Sequence, residues 1–67
     1  MYFQRLRDMR EDADLRQADI AKYLGIHQTV YSRYERGFQT IPLELMIKLA
    51  DYYHVSLDYL AGRTDKP

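Results

Sequence analysis

The chain contains no cysteine, so neither a disulfide nor a thiolate metal site can reinforce its core. That absence fits a reducing, cytoplasmic setting, which is the expectation for this protein. No apolar run approaches the roughly 20 residues of a helical membrane span. The first residues, Met1 to Arg5, carry no apolar stretch of the secretory kind. Net charge is also lacking: ten Lys and Arg balance ten Asp and Glu. An overall basic attraction to nucleic acid is therefore excluded, and only a locally positive face can serve that purpose. There is no phosphate-binding loop, zinc motif or nucleophile elbow, no strand-like alternation and no internal repeat. A chain of 67 residues allows one domain, 1–67, whose core is too small to frame a substrate pocket. The expectation is a protein that is not an enzyme, needs no cofactor and binds no evident small molecule.

What is present is helical periodicity. Tyr2, Leu6, Met9 and Ala13 recur at helical spacing and predict a first helix over about 2–13. Asp14 follows it, a residue that tolerates the left-handed conformation at a helix end. Ala18, Ile20, Ala21 and Leu24 give a short apolar face to a second helix over 17–24, stopped by Gly25. Val30, Tyr31 and Tyr34 supply the inner side of a third helix, 28–36, stopped by Gly37. Pro42 suits a first helical position. It opens a fourth helix, 42–54, with the stripe Leu45, Met46, Leu49, Ala50 and Tyr53. Ser56 is a good N-cap for a fifth, 56–61, with Val55 stapled against Leu60 and Gly62 at its end.

The second and third helices, joined by a short turn containing Gly25, have the spacing of a helix-turn-helix unit. In such a unit the second helix projects from the body and enters a major groove. Gln28, Thr29, Ser32 and Arg33 fall on one face of that helix, with Arg36 a turn beyond. The residue types fit base reading. Gln pairs bidentately with adenine, Arg with guanine, and Thr touches a thymine methyl or a phosphate. Arg33 and Arg36 stand near only one acid, Glu35, so this face is where a neutral molecule becomes locally positive.

Leu15-Arg16-Gln17-Ala18-Asp19-Ile20-Ala21-Lys22-Tyr23-Leu24-Gly25-Ile26 resembles the second helix and turn of the phage repressor and Cro-like family, the xenobiotic-response-element type of transcriptional regulator. Ser32-Arg33-Tyr34-Glu35-Arg36-Gly37 resembles the end of that family's recognition helix. Pro42, the Leu45–Ala50 stripe and Val55 to Gly62 resemble its last two helices, so the likeness covers roughly residues 5 to 62. It implies an all-α, compact five-helix bundle of the lambda-repressor-like kind, acting as a sequence-specific regulator, a repressor by expectation. The resemblance further implies base contacts by Gln28, Thr29 and Arg33. It implies a phosphate contact by Gln17, with Arg16, Ser32, Arg36, Gln39 and Thr40 as the further candidates for phosphate contact, and it implies a structural ion pair between Arg10 and Glu35. Three positions depart from the family pattern. Arg16 and His27 stand where Ser or Thr usually caps the two helices, and Tyr31 replaces a small aliphatic residue.

The expected partner is double-stranded DNA with a pseudo-palindromic operator, bound by a homodimer, because one recognition helix reads too few bases to find a site alone. Tyr52, Tyr59 and Arg63, in the last two helices and the tail, are the candidates for the dimer surface. His27 and His54, with no Cys and no clustered acids beside them, do not suggest a metal site. The neutral charge keeps one alternative open, an antitoxin or protein-interaction module on the same fold.

Overall fold

The computed structural model describes residues 1–67 as five helices: α1 Gln4–Asp12, α2 Gln17–Leu24, α3 Gln28–Glu35, α4 Leu43–Tyr53 and α5 Leu57–Leu60. They enclose one core of Leu6, Ile20, Ala21, Leu24, Tyr31, Ile41, Met46, Leu49, Ala50 and Leu60. The molecule measures 30 × 23 × 19 Å. Every helix contributes to the core, which is how so short a chain excludes water without a crosslink. None of the helices is long and apolar enough to cross a membrane.

The helix ends repeat one device. In each case a residue with positive φ follows the helix: Asp14 (58°), Gly25 (73°), Gly37 (80°), His54 (58°) and Gly62 (81°). The next backbone N–H then turns back to a carbonyl five residues earlier. Leu15 donates to Arg10, Ile26 to Ala21, Phe38 to Arg33, Val55 to Ala50 and Arg63 to Asp58, at 2.8–3.0 Å. This double closure satisfies the orphan carbonyls of each last turn. After α1, α2 and α4 the returning residue is apolar, and Leu15, Ile26 and Val55 pack against the core. At these three ends the signal that stops the helix also aims the chain back inward, whereas Phe38 after α3 and Arg63 after α5 stay exposed.

Several sequence expectations shift by a residue or two. Phe3 is the N-cap of α1 and packs on the core, while Tyr2 precedes the helix and is exposed. Ala13 and Ala18, assigned to apolar faces, are exposed. Ala13 is the C-cap, beyond the last residue of α1. Pro42 is the N-cap of α4, with extended backbone, and not its first helical residue. Ser56 caps α5, its Oγ accepting from the Tyr59 N–H at 3.0 Å. Arg16 offers no capping oxygen, yet the start of α2 is closed from the other side. Asp19 Oδ2 accepts from the Arg16 backbone N–H at 2.9 Å. That bond, and then the Arg16 side chain, hold the Asp19 carboxyl below the usual range. His27 gives no side-chain cap to α3.

Candidate nucleic-acid interface

The turn Gly25–His27 connects α2 to α3, and α3 divides sharply into two sides. Tyr31 and Glu35, one turn apart, are buried, and Tyr34 is half-buried against the core. Gln28, Thr29, Arg33 and Arg36 are exposed, with Ser32 half-buried among them. The outward side chains thus form one continuous polar strip. A buried ring and a buried carboxylate hold the opposite face, so the strip is presented on a fixed support.

That carboxylate is held by a bidentate pair. Arg10 Nε donates to Glu35 Oε2 at 2.9 Å and Arg10 Nη2 to Oε1 at 2.8 Å. The third guanidinium nitrogen, Nη1, donates to the Leu15 carbonyl at 2.8 Å. Gln17 Nε2, on the first turn of α2, donates to Glu35 Oε1 at 3.2 Å. Burial pushes the Glu35 carboxyl up, but Arg10, the Tyr31 hydroxyl and Gln17 together outweigh it and hold the group below its ordinary value. The bond to Glu35 correspondingly raises Arg10. One carboxylate therefore ties α1, α2 and α3 together directly behind the outward strip. Tyr31 fits in this interior with its ring fully enclosed and its hydroxyl close to the Glu35 carboxylate. Burial, and then the negative charge of Glu35, push that phenol far above its usual range.

The remaining candidates fall at the ends of α2 and α3. Arg16 is exposed but leans on Asp19, 3.3 Å away. Arg36 lies with its guanidinium 4.5 Å from the centre of the Phe38 ring. Gln39 and Thr40 are exposed in the loop after α3, and Thr40 Oγ1 accepts from the Met1 amino nitrogen at 2.7 Å. The three dimer candidates do not form one surface. Tyr52 stacks on Tyr23 with ring centres 4.5 Å apart and lines a shallow cleft with Met9, Leu15 and Tyr53. Tyr59 is half-buried beneath the Arg5 guanidinium, 4.0 Å from its ring centre. Arg63 lies instead on an apolar groove of about 390 Å³ with Phe3, Ile41, Leu43, Met46, Leu57 and Ala61. Leu43, at the start of α4 and outside the stripe Leu45–Tyr53, is 63% exposed on that groove.

The Helix-turn-helix family matches this chain over residues 6–60. The chain belongs to the helix-turn-helix family. As a member it is a DNA-binding module and not an enzyme. It is 40% identical over 67 residues to the HTH-type transcriptional regulator YobD of Bacillus subtilis strain 168, covering all of this chain and 60% of that protein. It is 34% identical over 65 residues to the cryptic phage CTXphi transcriptional repressor RstR of Vibrio cholerae, covering 97% of this chain and 59% of the repressor. A crystal structure of a transcriptional regulator from Listeria innocua superposes with a TM-score of 0.84 at 27% identity, over 94% of this chain and 59% of that one. The helix-turn-helix chain thus spans about 60% of the length of these relatives.

Proposed function

We propose that this helix-turn-helix chain is a transcriptional repressor that reads a pseudo-palindromic operator in double-stranded DNA as a homodimer. The single observation behind this reading is the two-sided character of α3. Gln28, Thr29 and Arg33 stand outward on a helix whose inner side is fixed by Tyr31 and by the Glu35–Arg10 pair. A base reader must not move, because a bidentate contact depends on both donor positions at once. Gln28, Thr29 and Arg33 contact base edges. Arg16, Gln17, Ser32, Arg36, Gln39 and Thr40 contact phosphates on either side, and the negative charge lies close to the N-terminus of α2. The second subunit docks on the apolar groove where Arg63 meets Leu43 and Leu57. That face is formed by Phe3, the loop before α4, α4, α5 and Arg63; Thr40 stands at its edge, and no residue of α3 lines it. The relative from Vibrio cholerae, named as a repressor, supports the direction of regulation.

Selection of bound sequences from a random duplex pool tests the whole reading. The expected result is one enriched motif of two inverted half-sites, their centres about one helical turn, roughly 34–36 Å, apart. A pool that emerges unenriched, or a chain whose DNA affinity does not depend on salt, overturns it in favour of a protein-binding role.

A further inference from the structure

Beside the base-reading strip lies a polar cleft of about 400 Å³ lined by Tyr2, Arg7, Arg10, Gln17, Glu35 and Arg36. Three guanidiniums face one carboxylate there. That carboxylate, 3% exposed, is already engaged by Arg10 and Gln17. The free positive charge of the cleft is therefore carried by Arg7, from α1, and Arg36, from the end of α3. Arg7 does approach Glu11, with Nε 3.4 Å from Oε2, but both side chains are more than half exposed, and such a pair competes weakly with a bound anion. At the rim, Phe38 is 71% exposed. Its ring has the Arg36 guanidinium stacked on it, and its position is fixed by the bond from its own N–H to the Arg33 carbonyl at 2.9 Å. Gly37, just before it, leaves no room for a side chain: a Cβ there would lie 2.9 Å from the Tyr2 Cβ. The segment before α1 and the loop after α3 are thus packed into one edge.

We infer that this edge is a clamp on the DNA backbone, in which Arg7 and Arg36 hold one phosphate at the cleft and the Phe38 ring covers the adjoining deoxyribose. The inference rests on the reading of the chain as a DNA-binding repressor and adds two residues to it, Arg7 and Phe38. The chemistry is complementary. Paired guanidiniums match the oxygens of a phosphate diester. An exposed phenyl beside them gains by covering the apolar face of the sugar. Arg36 serves both, because its stacking on Phe38 holds the fork in place before DNA arrives. The overall neutral charge of the chain makes such a local concentration of cations the more necessary.

The two residues predict different signatures. Arg7→Ala should weaken binding on the order of tenfold at 0.1 M salt. It should reduce the slope of log affinity against log salt by about 1, equally for every sequence. Phe38→Ala should also weaken binding about tenfold, but with the salt slope unchanged. Both residues are exposed, so circular dichroism melts should match the parent. The probes are the duplex selected from the random pool and an unrelated duplex of equal length, titrated at several salt concentrations. Either variant binding like the parent overturns the clamp while leaving the functional reading intact. A change in the ranking of sequences would make the residue a base reader, and overturns it too. Failure of the parent itself to bind either duplex with salt dependence overturns the functional reading first.

Discussion

Glu35 is the residue on which most of the site converges. A carboxylate that is almost fully enclosed must be matched closely, and Arg10 and Gln17 do so with three donors. Removing one partner of such a pair leaves the other charge buried and unmet, at a cost of about 3 kcal/mol or more. Glu35→Ala should lower the melting temperature by at least about 10 °C, since 1 kcal/mol moves a domain of this size by roughly 4–8 °C. A thermal scan that matches the parent would show the pair to be idle. The pH dependence has a definite sign. The folded carboxyl titrates below its ordinary value of 4.5, so its contribution is complete above that value and is lost as pH falls through the folded one. Glu35→Gln should therefore be less stable than the parent at neutral pH, and the gap should close below pH 4.5. A gap that stays constant across that range would contradict the depressed titration.

At the scale of the helix, ends and faces have separate consequences. Five helices close on residues with positive φ, and two of these are not glycine. His54 is exposed and holds that conformation at φ 58°, a geometry that costs an L-residue about 1–2 kcal/mol. Glycine removes that cost but adds freedom to the unfolded chain, typically 0.4–1 kcal/mol. His54→Gly should stabilise the protein by roughly 0.5–1 kcal/mol, measurable by urea titration, and a destabilised variant would mean that the imidazole makes a contact that matters. On the outward face of α3, Gln28→Ala and Arg33→Ala should each cost about 1–3 kcal/mol on the selected site and relax preference at one base pair. Competition binding against single-base variants of that site reads both effects. If the order of preference survives either substitution, that residue does not read a base.

At the scale of the whole molecule, one copy presents a single short helix to DNA, and two or three base contacts cannot single out one site among a genome of competitors. Pairing about a two-fold axis doubles the readout without enlarging the domain. The groove under Leu43 is small, and the free protein should dimerise weakly, with DNA completing the pair. Sedimentation should find two copies on a palindromic duplex. Leu43→Lys should reduce affinity for the full site at least tenfold while leaving a half-site unaffected, because the side chain is exposed in the single copy. Strict one-to-one binding by the parent, well above saturation, would remove the dimer from the mechanism.

What the sequence determined by itself is everything governed by near neighbours. The stripe of α4 is legible because Met46, Leu49 and Ala50 repeat at the period of a helix. The stops at Gly25, Gly37 and Gly62 and the turn at Asp14 are legible because positive φ has few tolerant residues. Together they set five helices and the turn between α2 and α3, and with them the outward placement of Gln28, Thr29 and Arg33. Only the tertiary structure decided what meets across the chain. Arg10 and Glu35 are 25 positions apart, and no spacing rule connects them; the pair was legible only through family resemblance. Ile41 falls between the expected helices 28–36 and 42–54 and is buried. Tyr59 reads as a free interface ring and lies under Arg5, which also binds the Thr64 carbonyl 59 positions away. Arg7 reads as one exposed charge among many until folding sets it in one cleft with Arg36. Periodicity specifies which face of a helix turns inward, but the choice of neighbour depends on how all five helices fill one small core together, and that information is spread over the whole chain.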